Sequence, residues 1–111
     1  MLELILKTPK EMTMKDTDIE KFLLKNKIYP NLKGYEYFLQ AVKLRNEYLY
    51  TTMNIYTQLA KDNNISINSV IRSMNYCLMK CKQKVLIEYG FVDKPSTSAV
   101  IAYFSNKKGE N

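Results

Sequence analysis

Apolar residues recur at intervals of three and four along most of this 111-residue chain, and no segment alternates apolar with polar residues as a half-buried strand does. The periodicity predicts an all-α fold, a bundle of five or six helices in a single domain at residues 17–111. The predicted helices run from Asp18 to Lys27, from Tyr35 to about Arg45, from Tyr48 to Asp62 as one helix or two, from Ser66 to about Glu88, and from Ser96 through Phe104.

Residues that favour turns or caps indicate several helix boundaries. Thr17 or Asp16 is placed to cap the first helix and Pro30 to end it, while Gly34 opens the second helix and Gly90 stops the fourth. The first helix is predicted to direct four apolar side chains into the core, namely Ile19, Phe22, Leu23 and Leu24.

Composition excludes several classes of function. The chain contains no histidine, so it lacks Ser-His-Asp triads and most kinds of zinc site. Its three glycines leave no material for a phosphate-binding loop of the Walker or dinucleotide type. The acidic residues are scattered singly, so no pair of carboxylates stands out for acid–base chemistry. We therefore expect neither an enzyme nor a bound metal or other cofactor.

The two cysteines and the N-terminal segment favour a cytoplasmic protein. Cys77 and Cys81 lie four residues apart, which is a poor spacing for a disulfide within a helix, and they read as buried reduced thiols. Residues 1–16 form an N-terminal arm that fits a short strand, a short helix or a packed extension, and they lack the cleavage site of a signal peptide. Because no apolar segment approaches the ~20 residues that span a bilayer, we expect no membrane association.

The formal net charge of +6 suits a polyanionic partner, and its distribution is more informative than its size. From Asn63 to Ile87 the chain carries four basic residues and no acidic residue. Double-stranded DNA is the partner that this distribution favours, and a basic surface without a nucleic-acid ligand is the alternative.

The middle of the chain meets the residue requirements of a helix-turn-helix. A close crossing of two helices needs a small residue, which Ala60 supplies, and the turn four positions later needs a left-handed residue, a conformation that Asn64 tolerates. Ile65 then fills the turn, Ser66 is placed to cap the second helix, and Val70 seats that helix on the first. A two-helix corner without a nucleic-acid ligand is the alternative interpretation.

The predicted helix from Ser66 to Glu88 has the polar residues of a recognition helix. Such a helix reads base edges in the major groove with its N-terminal residues, as when arginine bonds guanine and asparagine bonds adenine. A solvated helix face is the alternative. The predicted base contacts are Asn68, Ser69, Arg72 and Asn75, and the predicted phosphate contacts are Lys61, Ser66, Lys80, Lys82 and Lys84.

Several apolar and aromatic residues receive structural interpretations. Tyr35, Tyr37 and Tyr56 fall on apolar stripes, and we expect them in the core rather than on a platform for bases. Ile71 has three interpretations, as a core residue, as a contact to a thymine methyl group, or as a contact to a protein partner.

Three blocks of sequence stand out, namely LKGYEYF with AV at 32–42, IYTQLAK through VIRSM at 55–74, and KPSTSAVI at 94–101. Together they resemble the DNA-binding effector domains of the stage-zero sporulation regulator A family, the master regulators of sporulation initiation in endospore-forming Firmicutes. The blocks follow the family's order at near-family spacing, and the resemblance covers about residues 17–106.

The resemblance implies a six-helix fold with a central helix-turn-helix, homodimers arranged head to tail on tandem DNA boxes, and a role as a transcription factor. Arg72 matches an arginine of the family that contacts bases. Ser69 and Asn75 stand where the family has arginines, and Ile71 stands where it has glutamate. Only some 16 residues precede the matched region, so we expect no receiver domain and control by expression level, a partner or a ligand.

Two hypotheses of function follow. The first is a small sequence-reading DNA-binding transcriptional regulator. The second is a protein-interaction module or antagonist that uses the same fold without binding DNA, which the missing arginines and Ile71 motivate.

Overall fold

This computed structural model describes residues 14–48 and 50–109, with side chains described from residue 18 to residue 105 except at position 49. The described part of the chain contains six helices. This part contains no strand, so the predicted all-α fold of five or six helices is confirmed. Most of the predicted N-terminal arm lies outside the described residues. The helices are α1 (Met14–Lys25), α2 (Lys33–Tyr48), α3 (Thr52–Asp62), α4 (Ile67–Met79), α5 (Gln83–Glu88) and α6 (Thr97–Gly109).

The second helix forms the centre of the bundle, because α1, α3, α4 and α6 all pack against it. Its own buried residues include Phe38, Ala41 and Val42, none of which is exposed to solvent. An aromatic group closes one side of this core, where the Phe22 ring meets Tyr89 edge-on at 5.0 Å and Phe104 at 5.2 Å between centroids. Tight packing around α2 therefore determines where α1, α3, α4 and α6 lie.

The crossing of α2 and α4 is close enough to require glycine at position 34. A Cβ atom at this position would lie 2.6 Å from the Ser73 carbonyl oxygen and would overlap the Cys77 Sγ atom. Gly34 is the second residue of α2 rather than the residue before the helix, and its backbone is helical. Its role is thus the approach of two helices and not a turn.

The first helix differs from the prediction at both ends. It begins at Met14, so Asp16 and Thr17 lie within the helix and do not precede it, and it ends at Lys25, well before Pro30. The end is a Schellman motif, in which Lys27 takes a left-handed conformation (φ 62°) and the Ile28 N–H donates to the Leu23 carbonyl at 2.9 Å.

Leu24 is 43% exposed, so the prediction that it points inward is wrong. The helix buries Ile19, Phe22 and Leu23 on one side, and successive residues turn by about 100° around the axis. Leu24 therefore falls beyond the edge of the buried stripe.

The predicted helix from Ser66 to Glu88 is wrong, because the chain breaks it into α4 and α5. The Lys82 N–H donates at 2.8 Å to Oδ1 of Asn26, a buried side chain at the end of α1, so it does not continue the helical ladder. Asn26 also donates through Nδ2 to the Phe22 carbonyl at 2.9 Å. The buried side chain of Cys81 fills the break from inside.

The remaining boundaries have local causes. The segment from Tyr48 to Asp62 contains two elements, since α2 extends to Tyr48 and α3 begins after Thr51, whose side chain accepts from the Asn54 N–H at 3.3 Å. Gly90 (φ 91°) stops α5 as predicted. Ser96 caps α6 by accepting from the Ala99 N–H at 3.1 Å, although that helix continues past Phe104 to Gly109.

Among the described residues, no helix combines the length and the apolar character that crossing a membrane requires.

Replacing Gly34 by alanine tests the helix crossing. Helix propensity alone predicts that Gly34→Ala stabilises the protein by about 1 kcal/mol. The contact with Ser73 and Cys77 predicts the opposite sign, a loss of about 1–3 kcal/mol. The free energy of unfolding from urea denaturation measures the sign, and a gain in stability would contradict the close crossing.

Replacing Lys27 by glycine tests the end of α1. We expect Lys27→Gly to raise the free energy of unfolding by about 0.5–1 kcal/mol, because glycine adopts the left-handed conformation without strain. The matched control is Lys21→Gly, an exposed position inside the same helix, which should lose about 1 kcal/mol. Equal effects of the two substitutions in urea denaturation would refute the left-handed cap.

Candidate nucleic-acid interface

The corner between α3 and α4 has the predicted left-handed residue. Asn64 takes φ 55°, and the Ile65 N–H donates to the Ala60 carbonyl at 2.9 Å, so α3 also ends in a Schellman motif. Asn63 stabilises the same turn by donating through Nδ2 to the Leu59 carbonyl at 2.8 Å and to Gln40 of α2 at 3.3 Å. The predicted conformation of the turn is confirmed.

The start of α4 is capped as predicted. The Ser66 Oγ atom accepts from the Ser69 N–H at 3.1 Å and donates to the Ser69 Oγ atom at 3.0 Å. Val70 is fully buried and Ala60 is 7% exposed, so the two helices meet where the sequence pattern expects them to meet. The cap and this contact fix the direction in which α4 leaves the corner.

The outer face of α4 is polar at its N-terminal end and becomes apolar toward its C-terminal end. One side of the helix is buried through Val70, Met74, Cys77 and Leu78. We use the term outer face for the opposite side, which carries the exposed residues Asn68, Arg72, Asn75, Tyr76 and Met79.

The predicted base-contacting residues differ in their exposure and in their hydrogen bonds. Asn68 and Arg72 are exposed, and within the described part of the chain neither side chain makes a hydrogen bond. Ser69 is half-buried, and its hydroxyl accepts from Ser66. Asn75 is exposed, but its Oδ1 accepts from Thr97 Oγ1 of α6 at 3.0 Å. Asn68 and Arg72 are thus the side chains that the fold leaves open to a ligand.

Ile71 is half-buried and packs against the hydrophobic core. This packing favours the core interpretation, and the part of Ile71 that stays exposed is compatible with the other two. Tyr35, Tyr37 and Tyr56 are also buried, as predicted.

The predicted phosphate-contacting residues divide between two sites. Lys61 and Ser66 flank the start of α4, and both are exposed. Lys80 follows the last residue of α4, with its Nζ atom 5.6 Å from the centroid of the Tyr76 ring. Because the helix breaks after Lys80, Lys82 and Lys84 belong to the start of α5 and not to the helix of Arg72.

A cleft beside Arg72 contains residues that the sequence analysis did not single out. It lies between the start of α2 and the outer face of α4 and has a volume of about 420 Å³. We name it the α2–α4 cleft, and its lining includes Lys33 and Gly34 from α2 and Ser69, Arg72, Ser73 and Tyr76 from α4. The sequence gives one indication that Tyr76 belongs to this surface, because Tyr76 lies one helical turn after Arg72.

The two thiols are buried and unreactive. Burial raises the pKa of Cys77 and of Cys81 from 9.0 to about 11, with smaller opposing effects of Lys80 and Lys94 respectively. Both cysteines are free, and within the described residues no group of three or more acidic, cysteine or histidine side chains could hold a metal ion.

A hydrogen-bonded group connects the outer face of α4 to the core. Thr97 is 4% exposed, and its hydroxyl donates to Asn75. Burial raises the pKa of Tyr56, and a hydrogen bond with Thr97 opposes that shift. Asn75 is consequently held by a buried partner and does not rotate freely.

Comparison with known proteins identifies no relative. No family model and no curated protein matches the sequence, and no solved structure matches the chain.

Raising the pH tests the burial of the thiols. A thiol whose pKa is about 11 in the folded state and 9.0 when unfolded contributes stability below pH 9, and this contribution is lost as the pH rises through 11. The free energy of unfolding should therefore fall between pH 9 and pH 11. Burial also raises the pKa of Tyr35, Tyr56 and Tyr89, which adds to the fall.

Cys81→Ala isolates the contribution of one thiol. We expect the variant to lose less stability than the wild type over this pH range, measured by urea denaturation at each pH. Parallel pH profiles for the two proteins would show that the Cys81 thiol is not protected by burial.

Proposed function

We propose that the chain is a small DNA-binding transcriptional regulator whose helix α4 enters the major groove of double-stranded DNA. The observation that carries the proposal is the exposure of Asn68 and Arg72 on the first turns of α4. Ser66 caps this helix, and the left-handed residue Asn64 forms the turn that precedes it. The proposed recognition helix is Ile67–Met79, shorter than the helix that the sequence predicts. No acidic residue lies between Asn63 and Ile87 to repel a phosphate backbone.

The chemistry of the outer face fits base recognition. An α-helix fits the major groove, which is about 12 Å wide, and its N-terminal residues reach base edges. Arg72 has the paired donors that bind guanine O6 and N7, and Asn68 has the donor and acceptor that bind adenine. Asn75 offers its Nδ2 donor, since its Oδ1 already accepts from Thr97. Ser69 offers a hydroxyl whose position the cap fixes.

Basic residues at both ends of the helix supply the phosphate contacts in this proposal. Lys61 and Ser66 flank the N-terminal end, and Lys80, Lys82 and Lys84 follow the C-terminal end. Such contacts orient a protein on the duplex without reading its sequence.

The resemblance to sporulation regulators belongs to the same proposal. It suggests a cytoplasmic transcription factor that binds tandem boxes as a homodimer. The corner at Asn64 and the start of α6 after Ser96 support the alignment of the second and third sequence blocks, because these positions are the turn and the last-helix cap that the blocks require. The substitutions at Ser69, Ile71 and Asn75 lead us to expect a target sequence that differs from the family boxes.

A protein-interaction module or antagonist is the second candidate. Two apolar side chains on the outer face favour it, because Met79 is 69% exposed and Tyr76 is 52% exposed. The packing of Ile71 against the core weakens one of the reasons for this candidate.

Arg72→Ala separates the two candidates. Fluorescence anisotropy would follow binding of the wild type and the variant to labelled duplexes, one with the family's tandem boxes and one scrambled, at several salt concentrations. We expect wild-type binding to weaken steeply with salt. Loss of a bidentate arginine should reduce discrimination between sequences by about 1–3 kcal/mol.

Arg45→Ala is the matched control, because Arg45 lies in the last turn of α2 and not on the outer face of α4. Its binding should equal that of the wild type. Equal binding of the wild type to both duplexes would call for selection of a target from random DNA. No binding to either duplex at low salt, or no effect of Arg72→Ala, would overturn the proposal and favour a protein partner.

A further inference from the structure

The α2–α4 cleft combines positive charge with an opening beside the proposed reading residue. Lys33 lies on its α2 side and Arg72 on its α4 side, and no acidic residue is among the residues that line it. Glu36, the next acidic residue along α2, is absent from this lining and lines a neighbouring cleft, which shares Leu32 and Lys33 with the α2–α4 cleft. The α2–α4 cleft is therefore complementary in charge to a polyanion.

The spacing of residues along α4 indicates where this cleft would lie relative to the major groove of bound DNA. Asn68, Arg72 and Tyr76 follow one another at intervals of four residues and form one row along the helix. Tyr76 lies about 12 Å along the axis from Asn68, since each residue rises about 1.5 Å. A recognition helix contacts base edges with its N-terminal residues, so a residue two turns further along lies farther from the bases and nearer the backbone. When Asn68 and Arg72 reach bases, Tyr76 and the cleft beside it lie at the border of the groove.

The side chain of Tyr76 is exposed and is held by a contact with Lys80. Its ring is half exposed, and the Lys80 ammonium lies 5.6 Å from the ring centroid. This cation–π contact favours one position of the ring. Within the described residues the Tyr76 hydroxyl makes no hydrogen bond, so it is free to donate to a ligand of the cleft that Tyr76 lines.

We infer that the α2–α4 cleft receives the sugar–phosphate backbone of the DNA strand that borders the groove, with Lys33 binding one phosphate and the Tyr76 hydroxyl donating to a neighbouring one. The inference rests on the proposed function and adds a second element, the start of α2, to the DNA-binding surface. Because Gly34 holds α2 against α4, Lys33 and Arg72 keep a fixed separation, and a phosphate bound at Lys33 fixes the depth of Arg72 in the groove. These contacts orient the protein but read no sequence.

The dependence of binding on salt distinguishes this contact from base reading. Each neutralised phosphate contributes about 0.9 to the slope of log affinity against log salt. We expect Lys33→Gln to reduce that slope by about 0.9, and to weaken binding by the same factor on a preferred and on a scrambled duplex. Arg72→Ala should instead change the ratio between the two duplexes.

Lys43→Gln is the matched control, because Lys43 is an exposed lysine of the same helix that lines a different cleft, with Glu47 and Asp62. Its slope and affinity should equal those of the wild type. Tyr76→Phe keeps the ring and removes the hydroxyl. It should weaken binding to both duplexes by about tenfold and leave the salt slope unchanged, since a neutral donor to phosphate is lost.

The outcomes separate this inference from the proposed function. If the wild type binds DNA and Arg72→Ala changes its sequence preference, an unchanged salt slope for Lys33→Gln would overturn the cleft contact alone. Wild-type affinity for Tyr76→Phe would remove the hydroxyl from the contact. If the wild type binds neither duplex, the proposed function and this inference both fail. Thermal unfolding followed by circular dichroism would confirm that each variant is folded.

Discussion

The contact between α2 and α4 at Gly34 is the constraint on which the rest of the structure depends. The second helix is the one that four others pack against, and its N-terminal end touches α4 at Ser73 and Cys77 with no room for a side chain at position 34. Backbone placed this close to backbone leaves little freedom for the angle between the helices. The orientation of Arg72 and its neighbours therefore follows from packing in the centre of the bundle as much as from the turn at Asn64.

Helix boundaries were predictable where a nearby residue causes them. Asn64, Ser66, Gly90 and Ser96 have side chains or backbone conformations that act within a few residues, so each boundary could be predicted from the sequence. The break after Lys80 depends on Asn26, which is 56 residues away from Lys82, so no local pattern announces it.

Lysine at a left-handed position is another feature that propensity does not reveal. Lys27 takes that conformation because Leu23 and Ile28 are both fully buried and the backbone must turn sharply between them. Burial of the flanking apolar residues overrides the preference of the residue at the turn. The exposure of Leu24 follows from the same end of α1, where only one side of the helix meets the core.

Helical spacing predicts which residues of α4 face outward on the candidate surface, but not their partners on other helices. Periodicity assigns Asn68 and Arg72 to the outside of α4, and both are exposed. It assigns Asn75 to the same side but does not reveal that Thr97 occupies its acceptor, because the partner belongs to another helix. Lys33 and the α2–α4 cleft were missed for the same reason, since only the tertiary fold brings the start of α2 beside Arg72.

Because Thr97 is hydrogen-bonded to Asn75, the positions on the outer face of α4 differ in how readily they accept substitutions during evolution. Thr97 is buried and also has a hydrogen bond with Tyr56, so a substitution at 75 that removes the Asn75 acceptor costs one hydrogen bond, about 0.5–1.5 kcal/mol, unless position 97 changes as well. Positions 68 and 72 carry no such link to the core. Within a lineage of related chains, new surface chemistry on α4 would arise first at 68 and 72, while residues 75 and 97 would change together or remain as a pair.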